Sequence, residues 1–294
     1  MTIRTNKDRL VTMAVSGEVW PPALPFGGYR TDSRGAANIW MGMAGIVYNA
    51  RCGDPAYGWT ADHLEPGVSI RNRSDGPEYA LHYLANVGND AVVMTGGAKG
   101  ARGTVTGEHA HLMVDFPPDA LDLMTVGDHV QIRGVGTGLE LTDYPHIPVR
   151  KLDPRLLERM GIEELGEGRI RVPVTAEIPA KLMASGAELG ADYVDQDLAS
   201  NDRVFLAELG LDRLRVGDIV AVRDHDQSFN RGYRRGAVTI GLINHADSFM
   251  IGHGPGVMTL LSSGTGAIEP VIDPGANIAL YLGIGAARPA ERTA

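Results

Sequence analysis

Two stretches of the chain, TVGDHVQIR (125–133) and RVGDIVAVR (215–223), share one pattern and decide the prediction of the fold. In each, Val-Gly-Asp precedes a predicted strand that ends in arginine, and alternate residues of that strand are expected to face a core. Gly-Asp favours a turn, and the alternation is typical of a strand with one face on a core. The offset of 90 residues, from Val126 to Val216, is too long for a solenoid unit. The repeat favours two small β-domains, with chance recurrence of Gly-Asp turns as the alternative.

The remaining sequence favours the same architecture. Of 294 residues, 38 are glycine and 17 are proline, which fits short strands and turns better than long helices. Short helices are predicted after Asp75-Gly76-Pro77, ending at Gly88, after Asp153-Pro154, and over 201–210. The predicted fold class is α+β and β-rich, with two small β-barrel or sandwich-like domains and a few short helices. Prolines in DYPHIPVRK (143–151) mark a connector, so the predicted domains are 1–150 and 151–294.

Charge and cysteine content limit the partners and the compartment. A formal net charge of −9 argues against nucleic acid or an anionic membrane as the main partner. The single cysteine, Cys52, excludes an internal disulfide and favours a reducing compartment. No apolar run has the length of a signal peptide or a bilayer span. We therefore expect a cytoplasmic protein that acts on a small molecule and forms a homo-oligomer.

The first candidate site lies in GWTADHLEPGVS (58–69), where Asp62, His63 and Glu65 fall within four positions. Pro66 favours extended backbone at Glu65, so that His63 and Glu65 project to the same side. A carboxylate next to an imidazole fixes its tautomer and raises its basicity, as at metal and acid–base sites. We predict Asp62, His63 and Glu65 as metal ligands, with a solvated turn as the alternative.

The second candidate site lies in VRDHDQSFNRGYRRG (222–236). Asp224 and Asp226 alternate along a predicted strand end, and two close carboxylates bind a hard cation or split their pKa values. Arg231 stands in a glycine-flanked loop and is the arginine predicted to bind an anionic substrate group. A structural salt-bridge cluster between these aspartates and Arg231, Arg234 and Arg235 is the alternative.

The third candidate site lies in INHADSFMIGHGPGVMTLLSSGTG (243–266), which contains His245 and His253. His253 opens a Gly-Pro-Gly turn, and the amides of Gly254 and Gly256 are predicted to stabilise an oxyanion. A tight strand connection explains the glycines equally well. No lysine follows as in a Walker A loop, and no dinucleotide fingerprint is present, so we expect no nucleotide cofactor.

Two further sequence features are candidates for binding a metal ion or a substrate. His109 and His111 have the i, i+2 spacing that chelates a metal from one strand face, with a ligand-free strand end as the alternative. Lys181 stands in the apolar segment PAKLM as a candidate substrate-binding amine or a structural lysine. The chain contains no G-x-S-x-G and no H-E-x-x-H, which removes the common serine-hydrolase and zinc-peptidase interpretations.

Taken together, several segments resemble the bacterial and archaeal family known as domain of unknown function 4438. The resemblance extends from about Gly45 to Gly266. It rests on GIVYNARCGDPAYGWTADHLEPGVS (45–69), GGAKGARGTVTGEH (96–109), KLDPRLLERMGI (151–162), VPVTAEIPAKLMASG (172–186) and RGYRRGAVTIGLINHADSFMIGHGPGVMTLL (231–261). The family's recurring segments coincide here with Gly53-Asp54, Asp62-His63, Glu65-Pro66-Gly67, His109, Lys181 and His253–Gly256. The resemblance implies a fold and candidate positions, but no reaction.

The leading functional hypothesis is a hydrolase of a small amide, lactam or lactone, with its site between the two halves and one divalent metal ion. In this hypothesis His63 and Glu65 activate water, His245 or His253 carries the proton, and Arg231 holds a substrate carboxylate. One alternative is a metal-free isomerase, cyclase or lyase that uses a His–carboxylate pair. A second is a non-catalytic ligand-binding or assembly protein.

Overall fold

The computed structural model describes residues 3–22, 24, 28–32, 34–39, 41–184, 190–193, 195–229, 231–250 and 252–289. The strands of the first half are β1 (Met13–Val19), β2 (Arg30–Thr31), β3 (Ala37–Asn38), β4 (Ile46–Val47), β5 (Gly67–Arg71), β6 (Asp90–Val93), β7 (Arg102–Glu108), β8 (Leu112–Asp115) and β9 (His129–Gly134). Those of the second half are β10 (Glu163–Gly166), β11 (Arg169–Val174), β12 (Ala176–Pro179), β13 (Gln196–Asp197), β14 (Ile219–Asp226), β15 (Gly232–Ile243), β16 (Gly256–Ser263) and β17 (Ile268–Ile272). The helices are α1 (Asp75–Leu84), α2 (Pro118–Leu123), α3 (Pro154–Arg159), α4 (Arg203–Glu208) and α5 (Ile278–Leu282), and single 3₁₀ turns cover Lys7–Arg9, Ala180–Leu182, Leu211–Arg213 and Gly285–Ala287.

Six strands of the first half close into a barrel. Their order is β1–β9–β6–β7–β8–β5, and β5 pairs back to β1 through Glu18↔Arg71 and Val19↔Ile70. Strand β9 alternates as its sequence predicts, with Val130 and Ile132 fully buried and their neighbours exposed. Closure leaves these six strands without a free edge, and the apolar side chains fill the interior.

The second half is built from two smaller sheets. Strands β12–β14–β15–β16–β13 form a curved five-stranded sheet, a half-barrel, and β10–β11–β17 form a three-stranded sheet. Apolar side chains on both faces of the five-stranded sheet belong to separate core clusters. The α+β, β-rich class with two small barrel-like domains and few short helices is confirmed.

The repeated Val-Gly-Asp segments form the same turn in both domains. Asp128 accepts a hydrogen bond from the backbone N–H of Thr125 at 2.9 Å, and Asp218 accepts one from Arg215 at 2.8 Å. Gly127 and Gly217 adopt φ of 90° and 91°, which only glycine reaches without strain. Each turn leads into a strand of a different domain, namely β9 of the barrel and β14 of the half-barrel.

We expect Asp218→Ala to lower the free energy of unfolding by about 2 kcal/mol, because it leaves buried donors without partners. Asp218 is 2% exposed and also accepts from Asn277 Nδ2 at 2.8 Å. Denaturant unfolding measures the change, and the exposed Asp212→Ala is the control. An Asp218→Ala protein as stable as the control contradicts the role given to this turn.

Helix predictions succeed where a capping residue is present. Helix α3 begins at Pro154, and Asp153 accepts from the N–H of Arg155, as the sequence predicts. Helix α1 ends at Leu84, so the prediction that it ends at Gly88 was wrong. The chain is already extended at Ala85, and the Gly88 N–H bonds to Val105 of the barrel instead. Among the helices in the described part of the chain, none is long and apolar enough to cross a membrane.

The loop between β4 and β5 belongs to the first half in sequence but packs on the second. Ala61 and Leu64 join a buried cluster with Val216 and Ala246. Backbone hydrogen bonds cross in the same place, from His63 N–H to Asp247 and from Ala246 N–H to Leu64. This contact fixes the loop that contains 58–66 against the ends of β15 and β16.

Candidate metal centre

Six metal-ligating side chains from both halves converge at this contact. They form three overlapping groups of three, and within each group the donor atoms lie within 4.8 Å of one another. The groups are His63, His109 and His245; His63, Asp197 and His253; and Asp195, Asp197 and His245. The first-half ligands lie in the β4–β5 loop and directly after β7, and the others lie at the ends of β13, β15 and β16. Strand ends from two sheets therefore bring together residues up to 190 positions apart.

His63 is aimed into the cluster by Asp62. Its Nδ1 lies 2.8 Å from Asp62 Oδ2 and its Nε2 lies 3.1 Å from His253 Nδ1. Burial opposes ionisation of Asp62, but hydrogen bonds from His63 and from the Phe249 N–H and Ser248 hydroxyl lower its pKa. An ionised carboxylate only accepts, so Nδ1 of His63 carries the proton and Nε2 presents its lone pair. His63 also has φ of 46°, a strained conformation for a non-glycine residue at a functional site.

Glu65 holds the second imidazole in the same way. It is fully buried, and its carboxylate lies 2.9 Å from His109 Nδ1 and 3.1 Å from His111 Nδ1. Burial disfavours the charge of Glu65, but His111 and His109 hold its pKa well below the usual range. Because Nδ1 of His109 donates to Glu65, its Nε2 is left for the cluster. The His109 ring stacks on His63 with a centroid distance of 5.0 Å.

Asp195 and Asp197 supply negative charge deep in the structure. Asp197 Oδ2 lies 2.6 Å from His253 Nδ1 and 3.8 Å from His63 Nε2. Asp195 accepts a hydrogen bond at 2.6 Å from Asn244, whose amide also donates to the Glu108 carbonyl of the other half. Burial opposes ionisation, yet the surrounding histidines lower the pKa of both aspartates. Two adjacent buried carboxylates need a cation beside them.

His245 connects the aspartates to the other imidazoles. Its Nδ1 donates to the carbonyl of Ala246 at 2.8 Å, and its Nε2 lies 3.2 Å from Asp195 Oδ2. Despite this proximity, no described residue meets Nε2 in hydrogen-bond geometry, and the ring is fully buried. Burial alone would lower the pKa of His245, but Asp195 and Asp197 raise it well above the usual value. The two carboxylates thus favour a positive charge at Nε2, which either a proton or a bound cation can supply.

The predicted oxyanion loop has a packing role beside the cluster. The N–H groups of Gly254 and Gly256 face Asp197 and the His245 carbonyl, so neither amide is free. An added Cβ on Gly256 would lie 2.3 Å from Asp195 Oδ2, 2.4 Å from His245 Cδ2 and 2.5 Å from Asn244 Oδ1. Residue 256 must be glycine for these side chains to converge.

Gly256→Ala is therefore expected to weaken divalent-ion binding by about 100-fold, as displaced metal-site neighbours do. Isothermal titration with Zn²⁺ or Mn²⁺ measures the change. Gly232→Ala, where an added Cβ meets nothing within 4 Å, is the matched control. Equal affinity for the ion in both variants would show that the glycine at position 256 is not needed for the arrangement of the donor groups.

The structure brings some predicted site residues together and separates others. His63, His245 and His253 meet in the cluster, whereas Asp62 and Glu65 lie behind imidazoles rather than facing the shared centre. Asp224 accepts from the Gly236 N–H, and Asp226 pairs with Arg234. A bulge between Arg223 and His225 separates these two aspartates, so they do not form the predicted pair. Arg231 and Lys181 line a neighbouring cavity.

Three cluster residues, His109, Asp195 and Asp197, are not among the predicted metal or catalytic residues. The i, i+2 spacing pairs His109 with His111, whose imidazole instead contacts Glu65. Asp195 and Asp197 were not singled out, although DYVDQD (192–197) shows the Asp-x-Asp spacing that places two carboxylates on one face of a strand. That spacing was the available signal.

The donors fit a transition-metal ion better than Mg²⁺ or Ca²⁺. Imidazole nitrogens suit Zn²⁺, Fe²⁺, Co²⁺ and Ni²⁺, whereas Mg²⁺ and Ca²⁺ prefer all-oxygen sites. Ligands about 2.1 Å from one tetrahedral ion are roughly 3.4 Å apart. The separations of 3.1, 3.2, 3.7 and 3.8 Å in the cluster lie near that value, whereas the 2.6 Å between Asp197 and His253 is a hydrogen-bond distance.

Comparison with known proteins places the chain in a family. No curated protein matches the sequence. The crystal structure of TM1086 matches with a TM-score of 0.90 and 41% sequence identity over 96% of this chain and 100% of that chain. Residues 29–158 match the N-terminal model of domain of unknown function 4438, and residues 159–282 match its C-terminal model. The chain therefore belongs to the DUF4438 family.

Proposed function

We propose that the protein is a metal-dependent hydrolase of a small amide, lactam or lactone. The observation that carries the proposal is the set of oriented imidazoles. His63 and His109 each give one ring nitrogen to a buried carboxylate, and His245 gives one to a carbonyl, so that their other nitrogens are available at a shared centre. This arrangement of a ligand backed by a second polar group is characteristic of metal sites.

The roles follow from position. His63, His109 and His245 would hold one divalent ion, which would lower the pKa of a bound water and polarise a carbonyl, and Asp195 and Asp197 would supply negative charge beside His245. Asp62 and Glu65 fix the tautomers of His63 and His109. His253 is the most accessible member, with its side chain 35% exposed, and its Nδ1 contacts Asp197 at 2.6 Å. We assign His253 the transfer of a proton at Nδ1 between the site and the substrate.

Elemental analysis and hydrolysis assays test the proposal. Purified protein is expected to contain about one divalent transition-metal ion per chain, and to hydrolyse members of a panel of small linear amides, lactams and lactones. Chelation is expected to abolish turnover and re-addition of the ion to restore it. Protein that binds none of Zn²⁺, Mn²⁺, Fe²⁺, Co²⁺ and Ni²⁺ when titrated with each would refute the proposal.

The metal-free isomerase, cyclase or lyase remains a second candidate, because Asp62 and His63 form a buried carboxylate–imidazole pair at 2.8 Å. The two candidates differ in their response to chelation, since proton transfer by this pair requires no ion. Turnover that survives complete metal removal favours the second candidate.

We also propose a cytoplasmic location and a homo-oligomeric assembly, with a small molecule rather than nucleic acid or a membrane as the partner. The net charge of −9 and the single cysteine support the compartment and the class of partner. Light scattering tests the assembly, and a mass equal to the 31.4 kDa of one chain would contradict it.

A further inference from the structure

A cavity of about 460 Å³ adjoins the strand that carries the two aspartates of the cluster. Gln196, which lies between Asp195 and Asp197 in the chain, forms part of its wall. His225, Arg231 and Tyr233 line it as well, and Lys181 stands at its side from the neighbouring 3₁₀ turn. Because successive side chains of a strand point to opposite faces, Gln196 and this cavity lie on the other face of β13 from the carboxylates of Asp195 and Asp197.

The charged residues that line this cavity, among those the structure describes, are all basic. Lys181 and Arg231 are its basic residues, and no aspartate or glutamate is found among the described residues that line it. Arg231 is half-buried, and burial lowers its pKa while Asp195 and Asp197 act in the opposite direction. The guanidinium thus lies within electrostatic reach of the cluster. A partly desolvated arginine beside a cavity is well suited to bind a planar oxyanion through two parallel hydrogen bonds.

His225 adds a buried polar atom to the same wall. The residue is only 5% exposed, and its Nδ1 has no hydrogen-bond partner in the part of the chain that the structure describes. Burial and the neighbouring Arg231 lower the pKa of His225 to about 4, so the ring is neutral at pH 7 and offers a hydrogen bond rather than a charge. A buried unpaired nitrogen is costly unless a ligand satisfies it.

The bulge in β14 sets the direction of His225. Register shifts between Arg223, opposite Val238, and His225, opposite Tyr233. Asp224 has φ of 55° at this point, and its carboxylate accepts the Gly236 N–H at 2.7 Å. Bulges redirect side chains next to functional sites. Asp224, predicted from the sequence to pair with Asp226 at a cation or acid–base site, here positions His225.

We propose that this cavity binds a small carboxylate, with Arg231 forming the ion pair, His225 Nδ1 the hydrogen bond, and Lys181 adding positive charge at the side. This inference goes beyond the proposed function, because none of the described residues that line the cavity belongs to the cluster.

Calorimetric titration with succinate tests the cavity without requiring the substrate to be known. Succinate is expected to bind the full chain, neutral succinamide is not, and inorganic phosphate distinguishes a general anion site from a carboxylate site. Arg231→Met is expected to weaken succinate binding by about 10-fold or more, and Arg231→Lys by less, because lysine keeps the charge but lacks the planar fork. Arg234→Met, which removes an exposed arginine paired with Asp226, is the matched control.

The succinate titrations test the cavity independently of metal binding. The titrations are repeated after chelation, where binding through Arg231 is expected to persist. Succinate affinity that vanishes on chelation but is unchanged in Arg231→Met would place the carboxylate on the ion and overturn the inference. No measurable succinate binding in the folded wild-type protein, or tighter binding of phosphate than of succinate, would overturn it as well. Failure to bind metal with Arg231-dependent succinate binding intact would refute only the proposed hydrolase.

Discussion

Replacing His63 with asparagine is expected to reduce affinity for a divalent transition-metal ion by more than about 100-fold, because it removes a direct ligand rather than a supporting group. His63 belongs to two of the three donor groups, so its loss affects most of the cluster. Asparagine is the better probe than alanine, since it tolerates the left-handed backbone found at this position. Metal content after dialysis and titration calorimetry provide the measurement.

His129→Asn serves as the control for this substitution. His129 is exposed on β9 and takes no part in the cluster, so its variant should keep wild-type metal content and affinity. If His63→Asn binds the ion as tightly as His129→Asn, the convergence of imidazoles at this contact is structural and the proposed hydrolase fails. Hydrolytic turnover should fall in parallel with metal content in His63→Asn alone.

The second large effect is expected on stability. An ion that binds the folded protein at about 1,000 times its dissociation constant contributes roughly 4 kcal/mol, provided that the unfolded chain does not bind it. For a chain of this size that corresponds to a melting temperature about 10 °C higher than that of the chelated protein. Removal of the ion leaves the buried Asp195 and Asp197 with His245, His253 and the more distant Arg231 as countercharges.

Thermal unfolding followed by calorimetry or circular dichroism, with and without chelator, checks this expectation. His63→Asn is the internal control, because it should melt at nearly the same temperature in both conditions. If wild-type protein that contains bound metal melts at the same temperature with and without chelator, the ion binds the folded and unfolded chains with equal affinity.

Local patterns predicted the fold well. Val-Gly-Asp identified the starts of β9 and β14, and Asp153-Pro154 identified the start of α3. The expected alternation was right for β9 and wrong for β14, because both faces of β14 pack on apolar cores. Both signals act over a few residues, through turn hydrogen bonds and side-chain alternation. The end of α1 was missed because contacts from the barrel to Gly88 decided it, and these lie outside the helix in sequence.

The candidate site was predicted in part, for a related reason. The sequence predicts His63, His245 and His253 as site residues because carboxylates or glycines lie beside them in the chain. In the structure all three belong to the cluster. The sequence predicted the adjacent Asp62 and Glu65 as metal ligands, whereas the structure places the more distant Asp195 and Asp197 among the clustered donor groups. Closeness along the chain indicates hydrogen-bond partners more reliably than common ligation. Which carboxylate faces the centre depends on how two domains dock.

Because both domains contribute donor residues to the cluster, separating the two halves would change its donor set. His63 and His109 come from one barrel, and Asp195, Asp197, His245 and His253 from the other half, so neither part holds the complete donor set. Expression of the second half alone would keep the group of Asp195, Asp197 and His245 but lose both groups that contain His63. On the proposed function, the two halves would therefore have to be inherited as one gene.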